Sequence, residues 1–245
     1  MIDKAMHTIY SNSERLCTPE GLFNVLMYRG VFYGSLYATN ELKWFNSYQE
    51  WESFYSSSTR QKKGNKEAYY VNVNAYGCNN KSRSIVNIVS YWDECYRWPS
   101  FLHGNPNIKE VYNFLIMMED KKKIFKNIGP LTALLVCGDL VESGVLVLPT
   151  NEDWASLIYI VEKGGTRGLQ RILLLEEKFS QQDVIDAFQM LNAFLVQEIS
   201  TSDRELMGYN IVMLEHALCK FTRVVKEKKK TTSDNAATGK KRKRK

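Results

Sequence analysis

Apolar side chains recur at spacings of three and four residues over most of the chain, which is the period of a helix that buries one face. Residues that cap helices stand at the start of many of these stretches. A Ser, Thr or Asn followed three residues later by an acid is typical of a capping box. Such pairs begin at Ser47, Asn107, Thr150 and Ser180, and Thr18 stands before Pro19 as an N-cap. The pattern predicts a mainly α fold.

The pattern also predicts where the helices stop and where the chain is irregular. A helix is expected from Pro130 to Glu142, ended by Gly144 in a left-handed cap. Another is expected to start at Asp203 and run to about residue 225. Residues 60–83 break the helical period with the alternating sequence YYVNVNAY, which is compatible with a strand or an ordered loop. We therefore predict one helical domain over residues 1–225, with residues 60–83 as a small irregular or β insertion.

Positive charge is concentrated at the C-terminus. Residues 222–245 hold 11 Lys and Arg against 2 acids, whereas the whole chain has a net charge of +6. The preceding residues are therefore slightly acidic, and residues 226–245 are expected to form a disordered basic tail. Its last six residues, Lys240, Lys241, Arg242, Lys243, Arg244 and Lys245, suggest a nuclear localisation signal or a nucleic-acid-binding arm. The alternative is a solvated run of charge. The first interpretation predicts a nuclear protein and an import receptor as a partner.

Several other classes of protein are not indicated. Five cysteines at positions 17, 78, 95, 137 and 219 form no CxxC pair, which favours reduced thiols inside a cell and no cysteine-based metal site. We expect no membrane-spanning segment and no secretory signal. There is no P-loop, HExxH or GxSxG motif, and the three histidines are far apart in sequence. No metal is expected, and the sequence assigns no cofactor.

The segment Lys126-Asn127-Ile128-Gly129-Pro130 is the strongest local signal of chemistry. A helix ending near Phe125, a tight turn and Pro130 at the start of a second helix would form a helix-hairpin-helix. Such a turn can present backbone N–H groups and the positive end of the second helix to a phosphate. Asn127 is suited to a positive φ, and a β-branched residue at Gly129 is expected to distort the turn. The alternative is an ordinary connection between two helices.

A second glycine-rich segment follows at residues 164–168, GGTRG. We interpret it as a loop rich in free amides. Arg167 could bind a phosphate or carboxylate through two hydrogen bonds, with Arg171 one turn further on. The commoner case for such a segment is a plain link between helices.

The order of these motifs resembles the C-terminal half of a glycosylase-like helix-hairpin-helix family linked to DNA base hypermodification. This family includes the helical domains of 5-hydroxymethyluracil DNA kinases and the α-glutamyl- or putrescinyl-thymine pyrophosphorylases. The resemblance covers residues 124–172. Three elements carry it: Gly129, Pro130, Ala133, Asp139 and Leu140; then Asp153, Trp154 and Ala155; then Gly165, Arg167, Gly168, Leu169 and Arg171. The spacing departs from the family between the second and third elements.

The resemblance implies a protein that binds DNA and holds one base outside the stack. It implies DNA contacts from Lys126, Asn127, Ile128, Gly129, Thr132, Gly165, Arg167 and Arg171. Trp154 and Trp98 would stack on a base, and Asp153, or alternatively Asp139, would act at the sugar carbon. The simpler interpretation is that Asp153 caps a helix and that the tryptophans belong to the core.

We therefore predict a nuclear DNA-binding protein with a helix-hairpin-helix glycosylase-like fold, which recognises or acts on modified bases. Catalysis stays open, and an enzyme of this kind would be a DNA base-modifying transferase or a glycosylase. The alternative is a non-catalytic module for protein interaction, or a chromatin or mobile-element accessory protein, built on the same helices. Neither a substrate base nor a co-substrate is indicated.

Overall fold

A computed structural model describes residues 4–77 and 79–222 of the chain. They form two compact units that divide between Leu148 and Pro149. The single domain predicted over residues 1–225 stays a prediction. The predicted tail over 226–245, with its nuclear localisation residues 240–245, lies outside the described residues.

The first unit contains ten α-helices and one two-stranded antiparallel sheet among its described residues. The helices are α1 Lys4–Tyr10, α2 Ser13–Leu16, α3 Pro19–Met27, α4 Leu36–Asn40, α5 Tyr48–Ser57, α6 Glu67–Tyr70, α7 Ile88–Cys95, α8 Arg97–His103, α9 Ile108–Ile116 and α10 Pro130–Glu142. A π-helical turn at Tyr28–Phe32 extends α3, and short 3₁₀ turns lie at Ala75–Gly77 and Ile85–Asn87. In the sheet, β1 Met118–Glu119 pairs with β2 Lys122–Lys123, and Met118 is opposite Lys123.

The second unit contains helices and no strand among its described residues. It consists of α11 Asn151–Val161, α12 Gly164–Arg171, α13 Gln181–Glu198, α14 Thr201–Met207 and α15, residues 211–222. The mainly α fold predicted from the periodicity is confirmed.

Most of the helix starts that were predicted from local signals are correct. Asn107 and Ser180 form complete capping boxes, with Glu110 and Asp183 as the returning acids. Thr18 accepts a hydrogen bond from the backbone N–H of Gly21, and Pro19 is the first helical residue. The predicted bounds of α10 are confirmed, and Gly144 has a φ of +74° after its last turn. The amide of Val145 then donates to the carbonyl of Leu140, as in a Schellman motif.

The core of the first unit is built around α3, whose residues 21–27 are all buried. A cluster of aromatic side chains packs beside it, with ring centroids 4.9 to 6.4 Å apart, and it includes Phe32, Tyr37, Trp51, Phe54 and Tyr70. Edge-on and tilted contacts of this kind add stability beyond the area that they bury. Phe32, the last residue of the π-helical turn, connects this turn to the cluster.

Three predicted elements need correction. The helix before the Lys126 turn ends at Ile116 rather than near Phe125, and the β1–β2 hairpin occupies the intervening residues. The helix expected from Asp203 to about 225 is interrupted by Gly208, whose φ of +61° ends α14. The segment GGTRG is the start of α12 and not a loop. The described residues of the range 60–83 form short helical turns and one isolated bridge, as expected for an irregular insertion.

Candidate nucleic-acid interface

The turn formed by residues 126–129 connects the β1–β2 hairpin to α10. Asn127 has a φ of +66°, so the positive φ expected there is confirmed. Gly129 is the N-cap of α10, with extended backbone angles, and it supplies no side-chain cap. Pro130 follows as the first helical residue. The N-terminus of the mostly buried 13-residue helix α10, which is the positive end of its dipole, therefore lies at this turn.

The turn is held in place by hydrogen bonds to its own carbonyls and side chain. The hydroxyl of Tyr91 donates to the carbonyl of Lys126 at 2.5 Å. The side-chain amide of Asn127 donates to the carbonyl of Ser82 at 3.1 Å, and the hydroxyl of Ser82 donates back to its Oδ1 at 3.0 Å. Burial raises the pKa of Tyr91, so its hydroxyl keeps the proton that it donates. The turn is therefore preorganised before any ligand arrives.

Ile128 anchors the turn in the core, and its side chain is fully buried. Gly30 lies against both Ile128 and Tyr91, and a side chain there would crowd them. A Cβ at Gly30 would lie 2.4 Å from the hydroxyl oxygen of Tyr91 and 3.1 Å from Cδ1 of Ile128. Gly30 belongs to the π-helical turn after α3. The 126–129 turn therefore packs against this π-helical turn through Ile128.

Lysines surround the turn. Lys121, Lys122 and Lys126 are exposed, and the ammonium of Lys123 donates to the carbonyl of Ile128 at 3.0 Å. The hairpin bends through Asp120 and Lys121, which both have positive φ, as in a two-residue turn of type I′. The side of the turn facing Gly129 is open, because a Cβ there would meet only the Lys123 ammonium, at 3.5 Å. Positive charge and the start of α10 therefore lie together.

This geometry corrects the role expected of Gly129. Its φ of −107° and ψ of 179° suit any residue, so a β-branched replacement is not expected to distort the turn. The residue whose conformation is demanding is Asn127. A β-branched side chain there would be strained at positive φ and would lose both bonds to Ser82.

The irregular insertion supports the turn from the other side. Tyr76 has a φ of +59°, stacks on Tyr33 with ring centroids 4.5 Å apart, and donates its hydroxyl to the carbonyl of Arg29 at 3.1 Å. Burial raises the pKa of Tyr76 to about 12. The chain then reaches Ser82, which binds Asn127. Residues 60–83 thus brace the candidate interface, a role that the sequence did not indicate.

Asp139, the alternative catalytic residue, lies in a buried ion pair. Its carboxylate accepts two hydrogen bonds from Arg29, from Nε and from the terminal NH2 group, each at 2.5 Å. Arg29 is 5% exposed and Asp139 is 3% exposed. Burial alone lowers the pKa of the Arg29 guanidinium, but the charge and hydrogen bonds of Asp139 raise it well above its ordinary value. The pair joins α10 to the π-helical turn, and Arg29 had no predicted role.

Asp153, the first catalytic candidate, lies in the first turn of α11. Thr150 is the N-cap, and its hydroxyl accepts from the backbone N–H of Asp153 and donates to the Asp153 carboxylate at 2.9 Å. The simpler interpretation of Asp153 as part of a helix cap accounts for this position. A carboxylate placed this way stabilises the positive end of a helix.

The two tryptophans predicted to stack on a base are fully buried, so the structure corrects that assignment. Trp98 donates its indole N–H to the carbonyl of Leu16 at 2.9 Å and packs against Phe101 and Phe114. Trp154 lies in the core of the second unit, and its indole nitrogen has no hydrogen-bond partner among the described residues. Neither ring offers a face to a base in this conformation.

The glycines of α12 allow close packing against α15 and α11. A Cβ at Gly164 would lie 2.1 Å from Sγ of Cys219, and one at Gly168 would lie 2.6 Å from Cβ of Leu218. A Cβ at Gly165 would approach Ile158 to 2.7 Å. Since helix backbones can approach this closely only where side chains are missing, the glycines explain the packing of α12. The predicted amide-rich phosphate loop is not formed.

The predicted DNA-contacting residues therefore fall into two groups. Lys126, Asn127, Ile128, Gly129 and Thr132 lie at the turn and the first turn of α10, although Ile128 and Thr132 are buried. Gly165, Arg167 and Arg171 lie on α12 in the second unit. Arg167 and Arg171 are exposed and line a cleft of about 930 Å³, whereas Gly165 is buried.

Comparison with protein families, with curated proteins and with solved structures finds no match to the chain. Within residues 4–77 and 79–222, no group of three or more His, Cys, Asp or Glu side chains is arranged to hold a metal ion. Over the same residues, no helix has both the length and the apolar character needed to cross a membrane.

Proposed function

We propose that the protein binds DNA through the 126–129 turn, whose backbone amides contact a DNA phosphate. The observation that carries the proposal is the preorganised turn at the uncapped start of α10, surrounded by exposed lysines. Amide N–H groups at a helix start and the helix dipole both favour an anion. The carbonyl of Lys126 accepts from Tyr91 and that of Ile128 from Lys123, so these two acceptors already have donors.

The proposed contact uses the second half of a helix-hairpin-helix. Asn127 at positive φ and Pro130 at the first position of α10 support it. The β1–β2 hairpin stands where the first helix of the motif would be, and it carries Lys121 and Lys122 on its exposed surface. A glycosylase-like helical fold stays part of the proposal, supported by the helical content and by this turn.

The geometry favours binding over catalysis. Asp139 is neutralised by Arg29, and Asp153 takes part in the cap of α11. Neither carboxylate lines the cleft of about 930 Å³ or the neighbouring one of about 430 Å³ in the second unit. We therefore propose contact with the phosphate backbone, without base chemistry at these two residues. Nuclear import through residues 240–245 completes the proposal.

The proposal is tested by fluorescence anisotropy with a short labelled duplex, between about 50 and about 200 mM salt. Lys126→Glu should weaken binding to every duplex sequence alike, because phosphate contacts carry no base identity. Lys126→Ala should reduce the slope of log affinity against log salt by about 1. Lys220→Glu, the same charge change at an exposed lysine of α15, is the matched control.

Asn127→Val adds a test that leaves every charge in place. It should weaken DNA binding because the turn loses its positive φ and its bonds to Ser82. Gly129→Ala should bind like the unaltered protein. If Lys126→Glu and Asn127→Val fold normally and bind DNA as tightly as Lys220→Glu, the turn is an ordinary connection and the proposal is wrong.

A further inference from the structure

The second unit carries a groove with mixed apolar and charged lining between the segment after α12 and the first half of α13. The apolar residues that line it are Leu174, Leu175, Phe179, Ala187 and Met190, and its volume is about 430 Å³. Glu176, Asp183 and Asp186 stand on its rim, with Lys178 as a basic residue there. The wider cleft lined by Arg167 and Arg171 adjoins it through shared residues 174–176.

Large apolar side chains continue from the groove along α13. Met190 is 61% exposed, and Phe194, one helical turn further on, is 55% exposed. The buried residues of α13 lie between Val184 and Phe188, so none belongs to the second half of this 18-residue helix. Residues four apart lie on one face of a helix, so Met190 and Phe194 form a continuous strip. Exposed apolar strips with polar rims mark interaction surfaces.

Leu173 is a second, independent sign of function beside the groove. It is 90% exposed and has a φ of +64°, at the position after α12 where glycine is usual. The amide of Leu174 donates to the carbonyl of Leu169 at 3.0 Å, which completes the helix end. A left-handed backbone is unfavourable for leucine, and its exposed side chain makes no packing contact that would offset this. Such strain is concentrated at functional sites.

The charges around the strip restrict what can bind there. Helix α13 carries Asp183, Asp186 and Glu198 and no basic residue. DNA would be repelled by these acids, and a second copy would bring the same acidic helix against itself. Residues 226–245 have matching charge, but alanine is their only apolar residue type, so they cannot fill the groove. The occupant must supply both positive charge and large apolar side chains.

We infer that this groove and strip form a docking site for a basic amphipathic helix of another protein. Apolar side chains spaced three and four residues apart on the partner would contact Phe179, Met190 and Phe194. Its lysines or arginines would face Asp183 and Asp186. Met and Phe suit such a surface because the flexible thioether adapts to different apolar side chains. The surface lies in the second unit and does not depend on the proposed DNA contact.

The test uses the full chain and a labelled synthetic peptide with leucines at the helical spacing and lysines at the other positions. Binding is followed by fluorescence anisotropy. A peptide with glutamates in place of the lysines is the matched control ligand, and it should bind at least about tenfold more weakly. The double variant Met190→Ala/Phe194→Ala should weaken binding of the lysine peptide about tenfold or more. Asp186→Lys should weaken it by reversing the charge on the rim.

Leu206→Ala is the control variant, because Leu206 is an exposed apolar residue of α14 outside the groove. It should bind the lysine peptide like the unaltered protein. The altered side chains are exposed, so all variants should keep the circular-dichroism spectrum. Equal binding of the peptide by the double variant, or no binding by the unaltered protein, would overturn the inference. If the unaltered protein formed a dimer and the double variant were a monomer, the inference would also be wrong. A tenfold gain in peptide affinity on removing residues 226–245 would contradict it as well.

Discussion

The ion pair between Arg29 and Asp139 gives the sharpest test of the fold. Replacing Asp139 by Asn removes the negative charge but keeps the shape, and it leaves the guanidinium of Arg29 buried without its counter-charge. Both hydrogen bonds are 2.5 Å long, and the two residues are only 5% and 3% exposed. Breaking a buried pair by removing one partner costs about 3–5 kcal/mol. We expect Asp139→Asn to lower the free energy of unfolding by that amount.

Urea unfolding followed by circular dichroism measures this change. Asp120→Asn, a change at an exposed residue of the β1–β2 turn, is the control and should alter stability by less than about 0.5 kcal/mol. The double replacement Arg29→Met/Asp139→Leu should recover most of the loss, because an apolar pair needs no compensating charge. If Asp139→Asn were as stable as Asp120→Asn, the pair would not hold α10 in place. Asp139 would then again be a candidate for chemistry.

Three further predictions concern other parts of the chain. Gly168→Ala should lower the free energy of unfolding by about 1–3 kcal/mol, because its Cβ would lie 2.6 Å from Cβ of Leu218. Arg167→Ala, on the exposed face of α12, should lower it by less than about 0.5 kcal/mol, and urea unfolding measures both. Hydrogen bonds from the backbone and side chain of Ser180 lower the pKa of Asp183. The ionised cap therefore stabilises the fold above about pH 4, and this contribution is lost as the pH falls through the lowered pKa. The stability difference between the unaltered protein and Asp183→Asn should therefore shrink in acid, and a constant difference would contradict the cap. Deleting residues 226–245 should weaken salt-dependent DNA binding and leave the thermal midpoint unchanged, and a much lower midpoint would show that the tail packs.

The sequence predicted best what depends on neighbouring residues. The capping boxes at Asn107 and Ser180 and the bounds of α10 follow from signals within a few positions. The positive φ of Asn127 follows from the tolerance of that residue for left-handed backbone. The hairpin at 118–123 was missed because its turn residues, Asp120 and Lys121, are not the usual Asn-Gly pair.

Features that depend on distant partners could not be predicted. Glycines 164, 165 and 168 suggested a loop, but Gly164 and Gly168 make room for Cys219 and Leu218 of α15, and Gly165 makes room for Ile158 of α11. Arg29 and Asp139 are 110 positions apart, so no local pattern joins them. A signal was nevertheless present. Each is a lone charge inside an apolar stretch, and a buried charge requires a partner of opposite sign.

The central claim is that DNA phosphate meets the start of α10. Titration of the isotope-labelled protein with a short duplex, followed by amide chemical shifts in nuclear magnetic resonance, tests it most directly. We expect the largest shifts at the backbone amides of Gly129, Leu131 and Thr132, with smaller shifts at Lys121 and Lys122. Lys126→Glu should reduce all of them at the same DNA concentration. Shifts confined to α12 and α13, with none at residues 126–132, would contradict the claim.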